Sequence, residues 1–490
     1  MRTLLILLCV LPLAPAALAL VAPVRVVQAA TALLGAASFV MALILVPRVT
    51  RGSIAIGFLR ADALSVVFLL AVSFLYATVS LYTIGYLRES EHTEGFPRYA
   101  RRFYVGLNLF AAAMLWAPLV DGLALLWIAI EITTVVSALL VAIENTDTAA
   151  EAAWKYLLMA SAGLGIALLA TIFLYYAGST ALGQSYDLAF TPLLQAGARL
   201  PHTAVRLAFV LAVLGYGTKV GLVPVHTWLP DAHSEAPTPI SAMLSGALLA
   251  TSFYAILRYY QVAGATLGST FPRGVLLVFG VASLLLAALY VLDQQDLKRL
   301  LAYSSVEHMG ILALGVAFGA PIALAGVLLH VLAHAAAKGN AFMGAGVFVR
   351  AFGTKQISTM RGGLDRLPLS APLFLCAILA LSAMPPFGLF RSEFEIVEGG
   401  LGAGSYAGAA ILVVLVTLAF LGLALAATRM VLTPGRAAMG AARLRGPEPS
   451  GWMVAPAVIG LAALVLLGIH PPGDLTALLT HGAALLGGGS

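Results

Sequence analysis

Long apolar runs, separated by short polar stretches, follow one another along nearly the whole chain. A helix needs about 20 apolar residues to cross a hydrocarbon core of roughly 30 Å. The pattern therefore predicts an all-α polytopic membrane protein with about 14 transmembrane helices. The predicted spans are 3–21, 26–46, 62–87, 103–120, 122–143, 154–177, 204–228, 237–261, 274–292, 300–318, 321–349, 370–397, 405–431 and 452–470.

The polar interruptions between these spans are short. The longest, at 88–102, 350–367 and 436–451, are too small to fold alone, so neither a soluble domain nor bond-making catalysis is expected. The first apolar run also fits a signal peptide, because a basic end precedes it and an Ala-rich site follows. We expect a retained first helix, since a second apolar run comes at once.

The composition supports a membrane protein and argues against a soluble or a nucleic-acid-binding protein. Hydrophobic residues make up 61% of the chain and charged residues 10%, far from the balance of soluble domains. The net charge is +6, but the basic residues are spread over loop ends, which argues against a nucleic-acid partner. Their bias toward loops that follow odd-numbered helices predicts both termini on the outer face of the plasma membrane. Cys9 and Cys376 both lie in apolar runs, so no disulfide is expected.

Proline interrupts two of the predicted helices. Pro224 and Pro230 break the seventh, and Pro385 and Pro386 break the twelfth. Proline removes a backbone hydrogen bond and frees carbonyls that lipid cannot satisfy. Breaks at matching places in two halves indicate an inverted-repeat transporter, although proline is also common in membrane helices. The broken helices are five apart, so we expect two inverted five-helix repeats, with divisions at 1–102, 103–262, 263–431 and 432–490.

Ionisable residues in the first half are the strongest functional signal. One charge at the bilayer centre costs on the order of 2.5–3.5 kcal/mol, so it needs a partner, a cavity or a function. Glu131 lies inside an otherwise uncharged predicted helix, and Lys219 comes just before the first break. A lysine changes protonation when its carboxylate partner moves, so a pair with Asp231 could gate a proton. Two histidines, His226 and His233, also flank the break.

A stripe of basic residues marks the second half. His330, His334 and Lys338 recur every fourth residue, which places them on one helix face. Histidine accepts at one nitrogen while it donates from the other, so the stripe suits a proton relay. Metal binding is the alternative, but it requires a third ligand. Two histidines four apart with no acidic residue between them are weak evidence, and no metal site is expected.

Four further ionisable residues belong to the second half. Glu393 follows the Pro385 break and would end the path. Glu395 could also end the path, but Arg391 beside the two glutamates allows a structural ion pair, which we favour for Glu395. Glu307 and His308 lie well inside the tenth predicted helix. They are either part of the axis or hydrogen-bonded packing residues.

The segments KVGLVPVHTWLPDAHSEAPTPISAMLSG, DLKRLLAYSSVEHMG and HVLAHAAAKG closely resemble the antiporter-like subunits of respiratory complex I and its relatives. The resemblance runs from about residue 60 to 430. TKVGLVPVHTWLPDAHSEAP together with EAAWKYLL looks most like the F-type antiporter-like component of membrane-bound group 4 nickel-iron hydrogenases, including formate hydrogenlyase. It implies 14 helices, two inverted five-helix repeats and broken seventh and twelfth helices. It also implies proton-translocating roles for Glu131, Lys219, His330, His334, Lys338 and Glu393.

The eighth predicted helix departs from the pattern of this family. Many relatives carry a histidine or lysine there that links the two half-channels. In SAMLSGALLAT, the histidine place holds Ser245 and the lysine place holds Ala250. A hydroxyl relays protons only within a hydrated chain, so water would have to bridge this gap.

The residues and the resemblance together favour a proton-translocating membrane subunit of a redox-driven complex. The chain shows no ligands for a redox cofactor, so electrons would travel in a peripheral module carried by partner subunits. Two alternatives share the resemblance: a subunit of a multi-subunit sodium/proton antiporter, and a subunit of an inorganic-carbon uptake system. A non-conducting membrane anchor is a third, which the absent eighth-helix residue would favour. A lipid-processing enzyme would need an interfacial nucleophile or carboxylate cluster, and none stands out.

Overall fold

The computed structural model describes residues 2–88, 91–92, 94–434 and 448–487, and helices dominate it. A two-stranded antiparallel hairpin, β1 (Ile54–Ile56) and β2 (Leu59–Ala61), follows the first three helices. The helices of the first half are α1 (Arg2–Val10), α2 (Leu13–Val21), α3 (Val24–Val49), α4 (Ala63–Arg88), α5 (Phe96–Trp116), α6 (Leu123–Val141), α7 (Asp147–Leu182), α8 (Phe190–Ala196), α9 (His202–Val220), α10 (Leu229–Glu235), α11 (Thr238–Met243) and α12 (Leu249–Leu267).

The second half continues with long helices and the second break. Short 3₁₀ turns lie at Ala142–Glu144, Gly197–Arg199 and Ile357–Thr359. The remaining helices are α13 (Thr270–Leu292), α14 (Leu297–Phe318), α15 (Pro321–Phe352), α16 (Gly363–Arg366), α17 (Ser370–Leu381), α18 (Gly388–Gly402), α19 (Tyr406–Leu432), α20 (Gly451–Ile469) and α21 (Gly473–Gly487).

The expected all-α membrane architecture is confirmed. Within the described ranges, twelve helical stretches are long and apolar enough to cross a bilayer. The other two predicted spans correspond to α5 and to the pair α17 and α18. The chain is therefore a multi-span membrane protein. The total of 14 spans, the two inverted repeats and their divisions stay predictions, and part of the 432–490 division lies outside the described residues.

The seventh predicted helix is broken where expected. Helix α9 ends at Val220 and α10 begins at Leu229. Gly221 adopts a left-handed conformation with φ 84°, and its N–H donates to the carbonyl of Gly217 at 2.9 Å. This is a common way to cap a helix C-terminus, because glycine takes positive φ without strain. Pro224 then lies between the two helices, where no helical N–H is needed.

The twelfth predicted helix is broken in the same way. Helix α17 ends at Leu381 and α18 begins at Gly388, with Pro385 and Pro386 between them. Pro230 differs from the expectation, because it lies in the first turn of α10 and not in the break. The first turn of a helix tolerates proline, since its N–H groups have no partner within the helix.

Two elements were not expected from the sequence. The eighth helix contains a π-helical turn, Leu244–Leu248, between α11 and α12. Such turns insert one residue into the helical ladder and are frequent at functional sites. A terminal helix, α21, follows α20 and packs against α4 and α15. This segment lies beyond the last predicted span, 452–470.

The centre of the molecule is formed by α11, α12 and α15. Every residue from 238 to 263 is buried, and α15 packs against α4, α14, α17, α18, α20 and α21. By contrast, α7, α13 and α19 each leave large apolar side chains exposed, among them Tyr176, Val278 and Val414. A helix that is apolar all round is buried or faces lipid. The second group therefore forms the lipid face, and the first positions the buried polar residues.

A buried ion pair ties α12 to the start of α4. Arg258 Nη2 lies 2.8 Å from both carboxylate oxygens of Asp62, and Arg258 Nη1 donates to Gln261 Oε1 at 2.9 Å. Burial would raise the pKa of the Asp62 carboxyl, but the nearby Arg258 and Arg60 guanidiniums hold it below its ordinary value. Gln261 in turn donates to the carbonyl of Leu485 at 2.9 Å. This network fastens α21 to the core.

Candidate functional site

Lys219, in the last turn of α9, is fully buried. Its Nζ donates a hydrogen bond to the hydroxyl of Tyr156 on α7. Tyr156 Oη lies 2.7 Å from Ser137 Oγ on α6, and Ser137 itself donates to the carbonyl of Thr133 at 2.5 Å. Since the serine proton is used on that carbonyl, the tyrosine O–H donates to Ser137. Lys219, Tyr156 and Ser137 therefore form a chain of hydrogen bonds in which each group donates to the next.

The Tyr156 ring is held in place by the broken helix. Trp228, at the start of α10, stacks on Tyr156 with 4.4 Å between ring centroids. The Trp228 indole N–H donates to the carbonyl of Thr218 at 2.7 Å. This carbonyl belongs to the last turn of α9, where the helix ends and carbonyls lose their helical partners. The break thus supplies the acceptor that orients Trp228 beside the lysine.

Glu131 lies on α6, half-buried, six residues before Ser137. Its Oε1 accepts from Ser161 Oγ at 3.2 Å, and its Oε2 is buried without a hydrogen-bond partner among the described residues. Within the described ranges it makes no ion pair with Lys219. Glu131 on α6 and Lys219 on α9 therefore both contact α7, through Ser161 and Tyr156, but do not contact each other. A buried oxygen without a partner is open to a proton or a water molecule.

The residues around the first break separate into two groups. His226 and His233 are buried, and in the described part of the chain each has one ring nitrogen without a partner, Nδ1 and Nε2 respectively. Asp231 lies apart, with 29% of its side chain exposed, 2.8 Å from Arg299 and 3.7 Å from Lys155. The structure does not bring Asp231 to Lys219. The pair expected to gate a proton is therefore replaced by the contact between Lys219 and Tyr156.

Lys338 lies in the middle of α15 and is also fully buried. Its Nζ donates to the carbonyl of Leu301 at 2.9 Å and to the hydroxyl of Ser304, both on α14. Ser305 Oγ donates to the same Leu301 carbonyl at 3.1 Å and lies 2.7 Å from Ser245 Oγ. Ser245 of the eighth helix therefore lies next to Ser305, which shares the Leu301 carbonyl with Lys338. A bridge of water between the serines and the lysine stays a prediction.

Three histidines form a compact cluster beyond Lys338. His308 Nδ1 lies 3.1 Å from His330 Nε2, and His330 Nδ1 lies 3.0 Å from Ser392 Oγ. Ser392 donates its own proton to the carbonyl of Leu389 at 2.9 Å. His330 Nδ1–H must then donate to Ser392, which leaves Nε2 to accept from His308. His334 completes the cluster, with its ring centroid 5.1 Å from that of His308.

Glu393 on α18 lies between the cluster and a cavity. Glu393 Oε1 lies 4.0 Å from His308 Nδ1, and its side chain lines a cavity of about 310 Å³ between α18 and α19. Glu307 is buried nearby on α14, with Oε2 lacking a partner among the residues that the structure describes. Glu395 instead pairs with Arg391 at 2.9 Å. His308 contacts His330, so it lies in the predicted axis, but its role in proton transfer stays a prediction.

The family of the chain follows from comparison with known proteins. Residues 120–419 match the family described as NADH:quinone oxidoreductase/Mrp antiporter, TM. The chain belongs to this family. A Hydrogenase-4 component F homolog of Methylacidiphilum infernorum (isolate V4) is 34% identical over 362 residues, 74% of this chain and 76% of that protein. NADH-quinone oxidoreductase subunit N of Desulforudis audaxviator (strain MP104C) is 32% identical over 380 residues, 76% of this chain and 74% of that protein.

A solved structure shows the same fold over almost the whole length. In the Mrp complex from Dietzia sp. DQ12-45-1b, one chain superposes with a TM-score of 0.85 at 22% identity, covering 99% of this chain and 97% of its own. The resemblance stated from the motifs is confirmed. The helical membrane fold is therefore the fold of the NADH:quinone oxidoreductase/Mrp antiporter family, and Lys219 and Lys338 are buried within it.

Sequence reasoning missed the hydroxyl groups in this family member. Tyr156 is present in EAAWKYLL, and Ser304 and Ser305 are present in AYSSVEHMG. These residues are uncharged, so their burial in a membrane has no large free-energy cost that would mark them as functional. Ser137 and Ser392 gave no signal at all. Their roles depend on which helices face each other, and a single helical period cannot supply that information.

Proposed function

We propose that this chain is a proton-translocating membrane subunit of a redox-driven complex of the membrane-bound hydrogenase or complex I type. The observation that carries the proposal is the pair of fully buried lysines, Lys219 and Lys338. Each donates to a hydroxyl group, and neither has a carboxylate within ion-pair distance in the described part of the chain. A permanently charged, unpaired ammonium in a membrane core is expensive. This cost is explained if each lysine gains and loses a proton during turnover.

The proposed path in the second half begins at Ser245 of the eighth helix. Ser245 lies beside Ser305, and Ser305 and Lys338 both donate to the Leu301 carbonyl. The carbonyl holds the two donors near each other, and a water molecule carries the proton between serine and lysine. From Lys338 the proton passes to the histidine cluster, where each imidazole accepts at one nitrogen and releases at the other. Glu393, beside His308 and facing the cavity, releases it to the surface.

The proposed path in the first half centres on Lys219. Glu131 supplies protons, because its Oε2 is buried and free to accept one. Tyr156 accepts a hydrogen bond from Lys219 and contacts Ser137 on α6, and these two contacts orient the lysine. His226 and His233 are candidate relays between the halves, since each keeps an unused ring nitrogen among the described residues. Asp231 has a separate role in this proposal, as an ion-pair anchor with Arg299.

We further propose that other membrane subunits pack beside this chain and that a peripheral module carries the electrons. Two relatives named above are designated a hydrogenase component and a subunit of NADH-quinone oxidoreductase, which supports this assignment. We place the complex in the plasma membrane with both termini of this chain outside, from the distribution of basic residues.

The decisive experiment uses the complex that contains this chain, purified and reconstituted into liposomes. A pH-sensitive dye inside the vesicles reports proton transfer while electron transfer is followed separately. Lys219→Ala and Glu131→Gln are expected to abolish proton transfer. Lys155→Ala is the matched control, because Lys155 is 42% exposed. Undiminished proton transfer in both variants would favour a membrane anchor, and sodium-dependent exchange without a redox substrate would favour an antiporter.

A further inference from the structure

We propose that His308, His330 and Glu393, with His334 as a fourth ligand, form a binding site for a divalent transition-metal ion, best suited to Zn²⁺. A metal site in the relay goes beyond proton translocation. The sequence offered only His330 and His334, and a site required a third ligand. The fold supplies two more, one from α14 and one from α18.

The ligand atoms are spaced for a single small cation. One atom each from His308, His330 and Glu393 all lie within 4.8 Å of one another. His308 Nδ1 is 3.1 Å from His330 Nε2 and 4.0 Å from Glu393 Oε1. Tetrahedral zinc with bonds of about 2.0–2.1 Å places neighbouring ligand atoms about 3.3 Å apart. Relative shifts of up to about 1.5 Å bring these three groups to that spacing.

The donor set selects the class of metal. Imidazole nitrogen and one carboxylate suit zinc and similar borderline ions, whereas magnesium and calcium prefer oxygen ligands alone. His330 is already oriented, because its Nδ1–H donates to Ser392 and its Nε2 lone pair faces His308. A ligand histidine typically has such a second hydrogen bond, which fixes the tautomer. His308 needs only to carry its proton on Nε2, which has no partner among the described residues.

His334 provides an independent observation. It is fully buried, yet neither ring nitrogen has a hydrogen-bond partner within the described ranges. Buried polar atoms without partners are rare and call for an explanation. Its ring centroid lies 5.1 Å from that of His308 and 6.2 Å from that of His330. A turn about its side-chain bonds would direct one nitrogen to the fourth position of a tetrahedral ion.

The site borders a cavity. Glu393 lines the cavity of about 310 Å³ whose wall also contains Ser382 and Thr417. Ser382 Oγ is buried with no partner among the residues described, and it offers a polar stop on the way. A metal ion in this cavity would meet the carboxylate first and the histidines next. Lys338, one turn beyond His334 on α15, limits affinity when it is charged, because like charges repel.

Metal binding would block the relay, and this consequence alone rests on the proposed function. The ion would occupy the lone pairs of His308 and His330 through which protons pass. The binding itself is measured without turnover, so the two proposals can fail separately.

The test is a zinc titration of the purified, chelator-washed complex, with bound metal measured by equilibrium dialysis and elemental analysis. We expect His308→Ala and Glu393→Gln each to remove one zinc equivalent relative to the unaltered complex. Ser392→Ala should weaken that equivalent by about 10- to 100-fold, as the loss of a group that orients a ligand does. His481→Ala is the control, because His481 is exposed on α21, and it should retain the full stoichiometry.

A cobalt titration gives a second measurement on the same samples. Tetrahedral Co²⁺ absorbs visible light strongly, so the band should appear in the unaltered complex and in His481→Ala but be absent in His308→Ala. Should His308→Ala fail to assemble, His308→Gln keeps the volume and tests the same ligand. Equal zinc stoichiometry in the unaltered complex and the assembled ligand variants would overturn the proposal.

Discussion

The two halves of the molecule each bury one lysine, but in different surroundings. Lys219 stands at the end of α9 beside a helix break, and the hydroxyl of a stacked aromatic residue, Tyr156, is its hydrogen-bond acceptor. Lys338 lies in the middle of the unbroken α15, and a carbonyl and a serine on α14 are its acceptors. A helix break is therefore not required to hold a buried lysine. What the two sites share is a neutral oxygen acceptor and, among the described residues, no direct carboxylate partner.

The carboxylates differ as well. Glu131 is half-buried and contacts Ser161, whereas Glu393 is buried beside the histidine cluster and borders a cavity. The first half thus separates lysine and carboxylate by hydroxyl groups, and the second half places imidazoles near the terminal carboxylate. Imidazoles carry protons over distance, while hydroxyls mainly orient the groups on either side. If the proposed paths operate, the imidazoles belong to the path of the second half.

The largest expected effect is the loss of either lysine. Lys219→Ala and Lys338→Ala should each lower proton transfer by about 100-fold or more, because positioned acid–base groups contribute about 10²–10⁴-fold. Proton transfer by the reconstituted complex is the measurement. If one variant pumped normally, only one half would conduct, and the comparison between the halves would have to be abandoned.

Next in size is the tyrosine that accepts from Lys219. Tyr156→Phe leaves the buried ammonium without its acceptor, which costs about 1–3 kcal/mol. We expect proton transfer about tenfold slower, equivalent to about 1.4 kcal/mol. Tyr259→Phe is the matched control, since Tyr259 is buried and bonded to Thr171 at 2.7 Å. Similar losses in the two variants would show that any buried tyrosine hydroxyl matters equally.

A moderate effect is expected at the link between the halves. Ser245→Ala removes the contact with Ser305 and should slow proton transfer about fivefold, equivalent to about 1 kcal/mol. Ser252→Ala is the control on the same helix, because Ser252 donates to the carbonyl of Leu248 at 3.1 Å, within its own helix. An unchanged rate in Ser245→Ala would mean that the halves are joined elsewhere.

Ser304→Ala should have a smaller effect than Tyr156→Phe. Lys338 keeps the Leu301 carbonyl at 2.9 Å as an acceptor, so the net loss is about 0.5 kcal/mol and the rate falls about twofold. Rates measured side by side in the two variants test whether a second acceptor makes the second lysine more tolerant. A greater loss in Ser304→Ala would reverse the comparison.

The smallest effect is expected at Glu395. It pairs with Arg391, which is 38% exposed, and such pairs contribute about 0–1 kcal/mol. Glu395→Gln should leave both proton transfer and thermal unfolding nearly unchanged. Glu393→Gln, two residues earlier, should stop proton transfer. This neighbouring pair separates a relay carboxylate from a structural one, and equal behaviour would contradict the assignment.

Much of the fold was predictable because membrane insertion imposes a strong and local rule. Apolar length predicts spans, and proline predicts breaks, as 221–228 and 382–387 show. The π-helical turn at Leu244–Leu248 was not predictable, since it depends on packing around the eighth helix. Neither was α21, because this helix is only 15 residues long and contains Asp474 and His481, so it does not have the apolar length of a membrane span.

The sequence by itself determined that Glu131, Lys219, His330, His334, Lys338 and Glu393 lie in a membrane-embedded chain, because a charge in an apolar run is visible without coordinates. Only the tertiary structure decided their partners. It placed Asp231 with Arg299, Tyr156 with Lys219, and His308 with His330. The physical reason is that the free-energy cost of burying a charge depends on the residue and on the apolar residues next to it in sequence. A hydrogen bond between two helices also depends on how the helices are rotated relative to each other. That rotation is set by the packing of the whole bundle.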